Sequence, residues 1–365
     1  MPDFIPGLRL GQLFYYEAVQ PILDRTFPDL QYSAALIGTG SEILGFDTEM
    51  SRDHDWGPRL MLFLREDDLA QHRQAIDEAL RNGLPPRFHG YSTNFSPPDP
   101  DDNNVQALQE IEASPVNHHV EILTLRGYFL DYLGFDIETP IEPADWLTFS
   151  EQKLRTIVGG AVYHDGIGLE AVRDRFSYYP DDVWLYLLAS GWDRIGEEEH
   201  LMGRAGLVGD EIGSALIGAR LVRHVMRLGF LMEKQYAPYP KWFGTAFLKL
   251  QCGGDLSPVL RKTLLAETWQ EREKYLVPAY EHIAGVHNRL GITESLPAKA
   301  RNFFGRPFQV IDGGAFAEAI RARIMDPVVS QLAAGNRIGS IDQISDHTDI
   351  LANPEWRKTL RQLYE

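Results

Sequence analysis

Apolar residues recur at helical spacing along LGQLFYYEAVQPIL (10–23), which predicts an amphipathic helix, with Pro28 in the break that follows. YSAALIG (32–38) then reads as a short buried strand, and WGPRLMLFL (56–64) as a second strand covered on both faces. Between them, Ser41 follows a glycine and predicts a helix start. EDDLAQHRQAIDEALRNG (66–83) predicts the clearest helix of this half. It has acids in the first turn, Leu69, Ile76 and Leu80 on one side, and glycine at its end. Residues 85–104 suggest a strand and then a loop rich in proline and aspartate. NHHVEILTL (117–125) predicts a further strand, and RGYFLDYLGF (126–135) begins the helix after it.

From PADWLTFSEQKLRTIVGG (143–160) onward the pattern changes. Residues 150–335 read as helices broken by Gly and Pro, so we expect two domains, 1–145 and 146–365. In DEIGSALIGARLVRHVMRLGFLMEK (210–234), Ile212, Leu216, Ala219, Val222 and Met226 have core-like spacing, with Arg220, Arg223, Arg227 and Lys234 on an adjacent stripe. Trp184, Tyr186 and Trp192 read as core aromatics.

Composition narrows the function classes. With 44% hydrophobic and 24% charged residues the chain has an ordinary globular balance. No apolar run approaches the ~20 residues that cross a bilayer, and the start lacks the layout of a secretory signal, so the expected place is the cytoplasm, away from membranes. The single Cys252 cannot form an internal disulfide and reads as a small buried hydrophobe. A formal charge of -17 disfavours nucleic acid as a partner, favours cationic small molecules, and requires a local basic site or metal ions for any anionic substrate.

Candidate chemistry sits between the first two strands. Side chains alternate along a strand, so Asp53 and Asp55 would share one face while His54 packs behind them. Two neighbouring carboxylates repel unless a cation lies between them, and oxygen ligands on a rigid strand suit magnesium with substrate phosphates. Gly40 and Ser41, at a helix N-terminus, would offer N–H groups and a hydroxyl to a phosphate. The plainer alternative makes the two acids a polar strand entrance and Ser41 a helix cap.

Gly40-Ser41, an eleven-residue gap, then Asp53-x-Asp55 between apolar runs resembles the signature of the nucleotidyltransferase superfamily that includes DNA polymerase beta. In that family a third carboxylate comes from a later strand, and here Glu121 stands in the matching place, a departure from the more usual aspartate. An acid inside an apolar strand is costly to bury, which sets Glu121 apart. SRDHDWGP and YAPYPKWFGTAF also resemble an uncharacterised bacterial family with a domain of unknown function, DUF4037. The resemblance implies an α+β protein: a mixed sheet with helices, followed by a mostly helical domain like that of antibiotic-modifying nucleotidyltransferases. It further implies two Mg2+ ions (or Mn2+) on Asp53, Asp55 and Glu121, a nucleoside triphosphate held by Gly40 and Ser41, and NMP transfer to a hydroxyl. ATP is the first choice of donor and an aminoglycoside-like compound the first choice of acceptor. Glu121 is either a metal ligand or the general base.

In so acidic a chain, Lys241 within YAPYPKWF and Arg220 on the long helix are the candidate cations for the triphosphate, and a lysine of the helical part is similarly placed in the antibiotic-modifying enzymes. Some of those enzymes build their sites across a dimer, so the resemblance admits an oligomer. Adjacent His118 and His119 point to opposite faces and make a poor metal pair. Two rival readings stand beside the small-molecule one: a toxin-like enzyme that modifies protein or RNA, and a non-catalytic nucleotide-binding module.

Overall fold

The structure is a computed structural model that describes residues 3–53, 55–101 and 105–365, without the side chain of Asp53. The expectation for His54 therefore lies outside the described residues. The chain forms two compact units, Met1–Pro140 with Lys153–Ser177, and Ile141–Gln152 with Tyr178–Glu365.

The first unit is built on a four-stranded mixed sheet. Strands β1 (Tyr32–Leu36) and β2 (Arg59–Leu64) are buried at every position, as runs without alternation require when both faces are covered. They pair antiparallel, Ala34 opposite Leu62. A short hairpin, β3 (Arg87–Phe88) and β4 (Tyr91–Ser92), turns at His89 and Gly90, both with positive φ. Strand β5 (His119–Thr124) joins β2 in parallel, and β6 (Ala161–Asp165) closes the other edge antiparallel to β1, giving the order β5-β2-β1-β6. Burial along β5 alternates, with Glu121 on the more open face. The helix Glu66–Gly83 turns Ile76 and Leu80 into the core, as its spacing predicts.

Four local expectations for the first unit differ from what is observed. The N-terminal helix is interrupted: a π-turn at Tyr15–Val19 separates Gly7–Phe14 from Gln20–Thr26. Pro21, without an N–H, cannot complete the i→i−4 ladder there. Ser41 opens only one turn, with Phe46 N–H donating to the Ser41 carbonyl at 3.0 Å, because Gly45 at φ 66 ends it at once. Asp53 and Asp55 do not lie on a strand. Asp53 ends a 3-10 turn (Glu49–Asp53), Asp55 sits in a bend at φ 44, and β2 starts only at Arg59. Gly57 and Pro58 intervene, and proline has no N–H for the ladder, so strand alternation does not order these acids. The fourth is β6, an edge strand inside a stretch that reads as helical.

The second unit is dominated by the helices Asp181–Glu198, Glu211–Met232 and Trp269–Leu290, with one two-stranded ribbon, β7 (Arg301–Asn302) and β8 (Gln309–Val310). Trp184, Tyr186 and Trp192 are core residues, and Trp192 stacks on Phe316 at 4.3 Å. Glu151 is buried but answered, since its carboxylate accepts from Ala237 N–H at 2.8 Å and from Arg227 at 3.3 Å. The long helix Glu211–Met232 departs from its predicted facing. Ser214, Gly218, Leu221, Val222, Val225 and Leu228 are buried, whereas Ile212, Leu216 and Ala219 face solvent.

Candidate functional site

Arg59 organises the site. It opens β2 with its side chain buried, and its Nε donates to Glu42 Oε1 at 3.1 Å. One Nη donates to the Thr39 carbonyl at 2.8 Å and also meets the Glu42 carboxylate. Arg59 thus ties the turn after β1 to the head of β2. Gly40 is required in that turn: at φ 140, a Cβ would lie 2.5 Å from the Glu42 carboxylate. Gly38, at φ 83, donates its N–H to the Thr156 carbonyl at 3.1 Å.

The loop that carries the aspartates is fastened at several points. Asp47 Oδ2 accepts from Gly7 N–H at 2.7 Å and from Trp56 Nε1 at 3.3 Å. Arg52 sits over three rings, Phe4, Trp56 and Tyr91, at 5.3, 5.7 and 5.5 Å, and its buried Nε and one Nη have no hydrogen-bond partner among the described residues. Asp55 exchanges bonds with Gln106: its N–H donates to the Gln106 carbonyl at 3.1 Å and its Oδ1 accepts the Gln106 N–H at 2.9 Å.

Glu121 projects from β5 beside this loop, its register partner on β2 being Met61. Burial pushes its carboxyl above the usual range, Arg59 pulls it back, and the Asp55 charge pushes it up again. His119 feels the same two charges. Burial and then Arg59 lower it to about 4, so it is neutral at pH 7, and its Nδ1 has no partner among the described residues. Its ring meets Phe95, whereas His118 turns to Asp77, so the two imidazoles do not form a pair.

A second cation lies near the Gly38–Gly40 turn. Lys153 is buried, its Nζ donates to the Tyr132 carbonyl and lies 4.9 Å from the Tyr132 ring centre, and no carboxylate partner is present among the described residues. Burial lowers its amine to about 8. The Tyr132 hydroxyl meets Thr156 Oγ1 at 2.6 Å and the Thr39 side chain, which links Lys153 to the turn. The Tyr128 hydroxyl, 3.0 Å from where a Cβ on Gly38 would stand, is buried without a partner among the described residues.

Thus the structure brings Gly40, Ser41, Asp55 and Glu121 together around Arg59. The Asp53 backbone lies in the same loop, and its side chain is outside the described atoms. Arg220 and Lys241 belong to the second unit, where Arg220 Nε donates to Glu198 at 3.0 Å and Lys241 is exposed, 5.1 Å from the Trp242 ring centre. Among the described residues no three His, Cys, Asp or Glu side chains gather closely enough to enclose a metal ion on their own. Three residues of the constellation escape the sequence reading: Glu42, Arg59 and Lys153. Arg59 carries the signal that singles out Glu121, a charge in an apolar strand, while Lys153 looks like any solvated helix lysine.

Residues 146–243 match the family described as a domain of unknown function, DUF4037, in agreement with the expected resemblance. The fold is similar to the crystal structure of a nucleotidyltransferase-like protein from Exiguobacterium sibiricum 255-15. The TM-score is 0.32 at 10% identity, covering 75% of this chain and 74% of that one. No curated protein matches the chain. No helix of the described residues is long and apolar enough to cross a membrane.

Proposed function

We propose that this chain is a metal-dependent nucleotidyltransferase that moves a nucleoside monophosphate from a nucleoside triphosphate, ATP first, to a hydroxyl of a small cationic acceptor of aminoglycoside type. What supports the reading is the convergence about Arg59 of the Gly40–Ser41 turn, the Asp53–Asp55 loop and Glu121, reached from β1, β2 and β5.

The donor set is hard oxygen, and Glu121 is a buried carboxyl raised by burial and by Asp55, an arrangement that a divalent cation relieves. Asp53, Asp55 and Glu121 would hold Mg2+ or Mn2+. Bound there, the ions would supply charge neutralisation at the α-phosphate and the departing pyrophosphate. The chain's own groups bind and orient. In this reading the N–H groups of Gly40 and Ser41 receive the β- and γ-phosphates, and Lys153 adds the cation that an acidic chain otherwise denies them. The acceptor oxygen bonds to the α-phosphorus as the bond to the bridging oxygen of pyrophosphate breaks. The acceptor proton passes to Glu121 when that carboxylate is not occupied by metal, and to water otherwise.

Magnesium-dependent pyrophosphate release, screened over four nucleoside triphosphates with pooled metabolites and read by mass spectrometry, tests the reading. A mass gain of one NMP on a small acceptor is the expected result. A gain on protein or RNA would move the reading to the toxin-like class. Asp53→Ala and Asp55→Ala are each expected to slow transfer by roughly 10^3-fold with the fold intact, the scale set by losing a group that acts in the transition state. Normal turnover in the double variant overturns the assignment.

A further inference from the structure

The helix Leu125–Leu133 carries two tyrosines one turn apart, Tyr128 and Tyr132, whose rings stack at 5.3 Å and 10°. Both hydroxyls reach the turn after β1, and they are used differently. Tyr132 is spent: its hydroxyl meets Thr156 Oγ1 at 2.6 Å and the Thr39 side chain. Tyr128 is not. Its side chain is 5% exposed, and its hydroxyl has no hydrogen-bond partner among the described residues. Folded proteins seldom leave a buried donor unanswered, because it has given up its bonds to water for nothing.

The surroundings fix where that hydroxyl lies. Gly38 stands against it at φ 83, and a Cβ there would be 3.0 Å from the hydroxyl oxygen and 3.7 Å from the ring. Phe63 meets the same ring edge-on at 5.6 Å. Burial, then Tyr132 and Glu121, hold the phenol well above its usual range, so it stays an O–H donor. The turn it faces is built to change. Gly38 and Gly40 both have positive φ, where glycine turns without a side-chain clash. As they stand, the Gly38 N–H donates to the Thr156 carbonyl at 3.1 Å, and the Thr39 carbonyl accepts from Arg59 at 2.8 Å.

We propose that Tyr128 is a positioning residue for phosphate: its O–H donates to a carbonyl of the Gly38–Gly40 turn when that turn rotates an N–H onto the triphosphate. The inference rests on the nucleotidyltransferase reading and adds to it the state the turn adopts on binding. A trans peptide carries its N–H and C=O on opposite sides, so turning the N–H outward turns the carbonyl inward. An inward carbonyl needs a donor, and Tyr128 holds one unspent. Tyr132, bonded to Thr39, keeps the neighbouring residue in place, and Lys153, 4.9 Å from the Tyr132 ring centre, brings the positive charge. Helix and turn thus divide the work, with one tyrosine fastening the turn and the other receiving it after it moves.

Tyr128→Phe keeps the ring and removes only the hydroxyl, so stability and affinity separate the two roles it could have. In calorimetry of the full-length chain with Mg2+ and either ATP or inorganic pyrophosphate, the variant is expected to bind roughly three- to tenfold more weakly than wild type, the worth of one neutral hydrogen bond. Without ligand it is expected to melt at the wild-type temperature or above it, since the group it loses was unpaired. Tyr132→Phe, which loses a hydroxyl already bonded, is expected to melt lower than wild type. Equal binding by wild type and Tyr128→Phe overturns the proposal. So does a lowered melting temperature in Tyr128→Phe, with or without a change in affinity, because the hydroxyl would then serve the fold alone. A wild-type chain that binds neither ATP nor pyrophosphate removes the nucleotidyltransferase reading and this inference with it, whereas tight binding undiminished in Tyr128→Phe removes the inference only.

Discussion

Arg59 and Lys153 are both buried cations of the first unit, and they are answered differently. Arg59 has a carboxylate, Glu42, and a carbonyl, Thr39, within hydrogen-bond reach. Lys153 has a carbonyl and an aromatic face, with no acid beside it among the described residues. Their environments assign them different work. A buried charge matched by its counter-charge is complete, and removing one partner strands the other. A buried amine without a counter-charge is held at a cost, and an anion arriving beside it lowers that cost. Arg59 belongs to the frame, and Lys153 is the better candidate for meeting a ligand.

The largest expected effect breaks the frame. Arg59→Met leaves the Glu42 carboxylate buried and alone, and urea unfolding should show a loss of about 3–5 kcal/mol. Adding Glu42→Gln should recover most of it. No recovery in the double variant would mean that Arg59 acts through packing and the Thr39 carbonyl. Next, Lys153→Met should weaken triphosphate binding by about 1.5–3 kcal/mol, the scale of a charge-assisted hydrogen bond, read by calorimetry. The same variant should be more stable than wild type at pH 7 by about 1–2 kcal/mol, once the solvent its amine still meets is allowed for. The sign follows from an amine at about 8 when folded and near 10.5 when unfolded. The penalty is complete below pH 8, fades as pH rises towards 10.5 and vanishes above it, so the two stability curves should converge in that window. A wild-type chain as stable as Lys153→Met at pH 7 would erase the contrast with Arg59.

Smaller effects sharpen the comparison. Glu121 is raised by burial, so its ionised form is the one that strains the fold. Glu121→Gln should therefore leave stability unchanged in acid and raise it slightly as pH climbs past the range where an unfolded glutamate ionises. Mg2+ should stabilise the wild type and not this variant. The smallest change belongs to Arg220→Ala and Lys241→Ala, both exposed, each expected to shift stability by less than about 0.5 kcal/mol.

What the sequence discloses and withholds follows from the kind of signal each residue leaves. Buried central strands such as β1 and β2 announce themselves, because full burial demands an unbroken apolar run. The Gly40-Ser41 to Asp53-x-Asp55 spacing is equally visible, since it depends on residue identity. Its geometry is not: Gly57 and Pro58 stop the strand short of Asp55, and the alternation of β2 does not reach past them. β6 hides because it is an edge strand with only Tyr163 of its five residues fully buried. Lys153 hides because burial of a lone lysine is decided by what packs over it from elsewhere in the chain. Ile212, Leu216 and Ala219 mislead in the opposite sense, since an exposed apolar stripe and a core stripe share one periodicity.

The pairing of β6 with β1 has a bearing on biosynthesis. Ala161–Asp165 must return to a strand made more than a hundred residues earlier, after the chain has left the first unit and come back. A nascent polypeptide emerging from the ribosome can form the β1–β2 hairpin early but cannot seal the sheet until that late segment appears. Until then the open flank of β1 is a template for stray strands, and a slow, non-local closure of this kind favours escort by a chaperone.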